Sequence, residues 1–145
     1  MAIGELDTSA HRISDAIAQA EAGTSGELRV HISHRLIELN PMKRARKLFT
    51  KQELHLTKYR NGVLIYVNPR RKKFAIVGDQ GIHTRVGQEY WNQWAAKLQE
   101  DLRSTHYENA VCDAIKNIGD TLKKYFPVQE GDENPNELPN IVTED

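Results

Sequence analysis

Only one cysteine, Cys112, occurs in this chain, which excludes an intrachain disulfide and a cysteine zinc cluster. It stands at a helical apolar spacing in "ENAVCDAIKNIG" and reads as a core thiol rather than a nucleophile. Long apolar runs are also missing: nothing approaches the ~20 residues of a membrane-spanning helix. The first residues carry Glu5, Asp7, His11, Arg12 and Asp15, so they hold no apolar core of a signal peptide. The expectation is a soluble, cytoplasmic protein, read as a monomer. Aromatic residues make up only 7%, and beside the basic stretches "KRARK" and "RRKK" only Tyr59 and Tyr66 are at hand for stacking. Those stretches read as a solvated helix face and a charged hairpin tip, and no nucleic-acid partner is expected. Excess charge of one sign is absent as well, with 20 bases against 20 acids.

That balance hides an asymmetry. From Gln129 onward there are acids and no base, so residues 1–128 are basic in sum. A length of 145 residues suits one domain with a sizeable core. Residues 1–128 read as that domain and 129–145 as an acidic, partly ordered tail.

Helical periodicity covers four segments. The first, with Ile13, Ile17 and Ala20, ends at Gly23. A second opens at Asn40-Pro41, a cap followed by proline at the first helical position, and its apolar set of Met42, Ala45, Leu48 and Phe49 extends to Leu56. Val86, Tyr90, Trp94 and Leu98 mark a third, starting near Thr84 or Gln88, and Ala110 to Phe126 a fourth, closed by Pro127. "ELRVHIS" alternates like a strand with one wet face, whereas "GVLIYV" and "FAIVG" are apolar runs. The order α-β-α-β-β-α-α predicts an α/β sandwich around a small mixed sheet. A helix between the first two strands makes them parallel, and the short loop "NPRRKK" makes the next pair antiparallel.

From this connectivity, Glu27, Asn61 and Asp79 belong to one edge of the sheet. Two carboxylates and an amide oxygen there repel unless something neutralises them. A hard divalent cation, calcium or magnesium, would do so. Arg60 would serve instead, and on spacing alone Asp79 between Gly78 and Gly81 reads first as a turn residue or helix cap. If the carboxylates are uncompensated, Asp79→Asn should stabilise the cation-free protein. His31 and His34 read as a solvated strand end rather than zinc ligands.

"SGELRVHI", "YRNGVLIYV", "FAIVGDQGIHTRVG", the "YW" helix, "HYENAV" and "FP" followed by "NELP" together resemble a TPM domain. Known members of that family include a thylakoid-lumen phosphatase, a photosystem II repair factor and a receptor modulator. The resemblance runs over nearly the whole chain. It implies a three-layer α/β/α, Rossmann-like fold and a divalent-cation site in a groove at the sheet edge, with Glu27, Asn61 and Asp79 as ligands. Arg60, Gly78, Gly81, His83 and Glu137 would border the groove, Glu137 being brought there by Leu138. Many relatives carry a glutamate where this chain has His83, and Asp79 stands as its substitute. The expected role is binding or regulatory, in a setting such as protein quality control. Two alternatives stand beside it: a metal-dependent acid phosphatase acting on phosphate esters, and a module whose groove takes a protein or peptide. The chain has neither the C-x5-R loop nor the D-x-D pair of phosphate-ester enzymes, and "GDQG" is not a Walker loop.

Overall fold

The computed structural model describes residues 3–132 and 141–145, with side chains from Ser9 onward. Four helices, α1 (Ile3–Glu21), α2 (Pro41–Lys51), α3 (Gln80–Ser104) and α4 (Tyr107–Tyr125), surround a sheet. Its strands are β1 (Glu27–Ile32), β2 (Gly62–Asn68), β3 (Lys73–Gly78) and β4 (Val142–Glu144). The order is β3-β2-β1-β4. As the sequence predicts, β1 and β2 are parallel, in a register from Glu27–Gly62 to Ile32–Val67. The hairpin makes β2 and β3 antiparallel, with Val63 opposite Gly78.

Apolar side chains divide between two faces. Leu28, Val30, Ile32, Val63, Ile65 and Val67 meet α1, α3 and α4 in the larger core. Leu64, Tyr66 and Ala75 meet Ala45, Leu48 and Phe49 of α2 on the other side. The result is the three-layer α/β/α arrangement, with one thick and one thin helical layer.

Several readings are corrected. The wet face expected for β1 is buried: Arg29 and His31 are 7% and 4% exposed. His31 stacks on Tyr66 with ring centroids 5.6 Å apart, so it is no solvated strand end. A fourth strand, unforeseen in the acidic tail, pairs parallel with β1 from Val30–Val142 to Ile32–Glu144 and helps to cover it. Asn40 caps α2 through Lys43 N–H at 3.0 Å, as read, but the helix stops at Lys51. Glu53 turns the chain at φ 63°, and Leu56 is left exposed. Helix α3 begins earlier than its periodicity suggests, at Gln80, and breaks at Gly87 (φ 79°). Cys112 is half-buried against the larger core, and burial raises its thiol pKa.

Candidate functional site

The start of β1, the start of β2 and the end of β3 do lie together. Glu27 is opposite Gly62, and the Asp79 N–H donates to Gly62 O at 2.9 Å. Thr24 fastens this end to α4, its hydroxyl donating within reach of Leu122 O and Phe126 O at 3.1 and 2.7 Å. Glycines permit the close approach. A Cβ on Gly81 would stand 2.0 Å from Tyr59 O, and one on Gly78 would enter the Trp91 ring. The Gly81 N–H donates to Arg60 O at 2.8 Å, tying the first turn of α3 to the loop before β2.

Each acceptor has its own partner. Asp79 caps α3 by accepting from Gln80 N–H at 2.8 Å. Arg60, at φ 53°, grips the same carboxylate in a fork, Nε to Oδ2 at 2.7 Å and Nη2 to Oδ1 at 2.9 Å. Both alternatives weighed for Asp79, cap and arginine partner, are therefore present at once. Arg60 is 44% exposed along its side chain, so this pair meets solvent on one side. Glu27 is buried and takes Arg29 Nη2 at 2.9 Å. Asn61 is fully buried: its backbone N–H donates to Thr57 Oγ1 at 3.1 Å and its Nδ2 to Ser25 Oγ at 3.2 Å. Its Oδ1 is buried with no hydrogen-bond donor. Such an oxygen is expensive to leave unmet.

Glu21, missed in the sequence because it reads as the last polar residue of α1, belongs to this end too. It is 2% exposed, and its Oε2 accepts the Leu28 N–H at 2.8 Å. Oε1 has no partner. Burial raises its pKa to about 7, the Leu28 hydrogen bond opposes this, Glu27 adds to it, and Arg29 opposes it. Asp132, also missed, accepts from Tyr59 Oη at 2.8 Å and lies 3.7 Å from Lys58 Nζ. A hydrogen bond from Gln129 N–H, followed by that from Tyr59, lowers its pKa.

The groove candidates fare unevenly. Gly78 and Gly81 shape the edge, and Arg60 occupies it. His83 accepts from Trp91 Nε1 at 3.1 Å through Nδ1, so that nitrogen is spent inside α3. Glu137 lies outside the described residues. Among the described residues no three His, Cys, Asp or Glu side chains form a ready metal cluster. The donors that do meet here are oxygens, which suit calcium or magnesium, not the nitrogen and sulfur preferred by zinc. Asn61 Oδ1 is the feature that fits a cation, and the Arg60 fork is the feature that competes with one.

A cleft of about 680 Å³ lies elsewhere, at the opposite end of β1, between α2 and the loop before it.

An α/β/α sandwich with an oxygen-rich edge at the start of its parallel strands is the class this geometry defines. The TPM domain model matches residues 6–121. The chain belongs to the TPM domain family. It is similar to the BA42 protein of the psychrophilic bacterium Bizionia argentinensis, solved by NMR, at 36% identity and a TM-score of 0.81. That match covers 95% of this chain and 93% of the other. The N-terminal domain of the cg2496 protein from Corynebacterium glutamicum, at 10% identity and a TM-score of 0.60, shares the fold. Its match covers 84% of this chain and 74% of that one. No curated protein matches this chain. No helix among the described residues is long and apolar enough to cross a membrane.

Proposed function

We propose that this TPM domain binds calcium or magnesium at its acidic sheet edge, in a binding or regulatory role such as protein quality control. The carrying observation is Asn61 Oδ1, buried without a donor at the sheet edge to which the buried Glu27 and Asp79 also belong. Asn61, Glu27 and Asp79 would hold the cation, with water completing the shell. The bound ion would supply positive charge and join three chain segments at one point. Arg60 plays its part as a reversible occupant. In the cation-free protein it neutralises Asp79, and its exposed side chain is free to swing to solvent.

The phosphatase alternative has less behind it. The chain has neither a C-x5-R loop nor a D-x-D pair to supply a nucleophile, and Nδ1 of His83 is hydrogen-bonded to Trp91.

Thermal melting tests the reading. Calcium should raise the wild-type midpoint saturably, by RT ln(1 + [L]/Kd), or roughly 2.7 kcal/mol at about a hundred times Kd. Asp79→Asn should lose most of that response. Equal calcium shifts in the two proteins would remove Asp79 from the site.

A further inference from the structure

The loop between β1 and α2 inverts the usual burial pattern. Its acid, Glu38, is buried and its aliphatics are outside. Leu36, Ile37 and Leu39 are 63%, 73% and 91% exposed. The inversion is built in. The Glu38 carboxylate accepts from Tyr66 Oη and from Asn68 Nδ2, and Asn68 Nδ2 also donates to Arg35 O at 2.9 Å. The two anchoring residues belong to β2, so the loop is pinned to the sheet at its middle and at Arg35. With Glu38 drawn inward, its neighbours Ile37 and Leu39 are turned out to solvent. Isolated exposed aliphatics are ordinary, but three in four consecutive positions form a patch.

Charge surrounds it. Arg35 precedes the aliphatics, and Lys43 and Lys47, one helical turn apart on α2, share the same cleft with them. Helix α2 contains no acid at all. Among the described residues neither Arg35, Lys43 nor Lys47 has an ion-pair partner, while Arg44 of the same helix is taken by Asp145.

We infer that this loop and the adjoining face of α2 form a docking surface for an anionic membrane. The geometry selects a membrane over a peptide. These residues border a cleft, but a peptide groove shelters its apolar floor, and Ile37 and Leu39 are not sheltered. Here the aliphatic groups are among the most exposed points and must enter their partner, which has to be apolar beneath a negatively charged surface. Side chains of this kind settle at the boundary between headgroups and acyl chains, and nearby lysines and arginines each add about 1 kcal/mol at an anionic leaflet. The chain as a whole is neutral, so it is this local segregation, and not net charge, that provides the attraction.

Vesicle co-sedimentation of the full chain, with a chelator present to keep the cation site out of play, is the test. Vesicles of phosphatidylcholine with phosphatidylglycerol should retain the protein, those of phosphatidylcholine alone should not, and high salt should release it. Ile37→Ser/Leu39→Ser and Lys43→Glu/Lys47→Glu should each weaken partitioning at least about tenfold. All four positions are at the surface, so the melting midpoints should stay near wild type, and the second pair gives the answer if the first misfolds. No retention on anionic vesicles would overturn the inference. So would retention unchanged by Ile37→Ser/Leu39→Ser in a folded variant, or capture of an acidic amphipathic peptide without any of vesicles.

Discussion

Asp79 meets three demands at once: it caps α3, pairs with Arg60, and returns its own N–H to Gly62. Reasoning from two neighbouring carboxylates alone gives Asp79→Asn a stabilising sign. The arginine fork reverses that sign. Asparagine keeps the cap, since the two residues cap about equally well, but forfeits the charge pair, so the cation-free variant should melt below wild type. Glu21 carries a different prediction. Its carboxyl is held near pKa 7 when folded against 4.5 otherwise, so the folded state binds the extra proton. Stability from this group is therefore full below pH 4.5 and is lost as pH rises toward about 7, a swing of up to about 3 kcal/mol. Glu21→Gln cannot titrate. Its midpoint should gain on wild type as pH climbs through that window, and parallel pH profiles for the two proteins would refute the assignment. Nothing in the sequence marks Glu21, because the burial that shifts it comes from residues far along the chain.

Elements were legible where their signals are local. The crossover helix and the four-residue hairpin loop, 69–72, fix the direction of β1, β2 and β3, and hence the gathering of Glu27, Gly62 and Asp79. Asn40-Pro41 likewise announces α2. What stayed hidden depends on contacts across the chain. Alternation in "ELRVHIS" implies a wet face, but α2 and β4 close over it, and His31 stacks on Tyr66 there. Burial lowers the His31 pKa, the nearby Asp145 opposes this, and the Asp145 carboxylate also pairs with Arg44. Strand β4 has three residues, too few for a periodic signal, and is specified by its partner. Its neighbours extend the ladder: Val30 N–H donates to Ile141 O at 3.1 Å, Asp145 N–H to Ile32 O at 3.1 Å, and His34 N–H to Asp145 O at 3.2 Å. Removing residues 141–145 should lower stability by about 2 kcal/mol, from the lost ladder bonds and the uncovered His31. Chemical denaturation measures this, and an unchanged unfolding free energy would mean that β4 adds nothing.

Across the whole molecule, the two ends of the sheet are opposites. One gathers Glu21, Glu27 and Asp79 against Arg29 and Arg60. The other presents Leu36, Ile37 and Leu39 among Arg35, Lys43 and Lys47. Of the first, Glu27, Asp79 and Arg60 were visible in the sequence, through connectivity and family resemblance together, but Glu21 was not; the second depends on Glu38 turning inward to Tyr66, which no local pattern reveals. On the proposed function, the first end exchanges an arginine for a cation. Calorimetric titration of calcium into wild type, Arg60→Gln and Asn61→Ala is the decisive measurement. With the competing guanidinium removed, Arg60→Gln should bind calcium more tightly than wild type, whereas Asn61→Ala, deprived of a buried amide oxygen that lacks a donor, should bind it more weakly. No saturable heat in either wild type or Arg60→Gln, or one affinity shared by all three proteins, would contradict the claim.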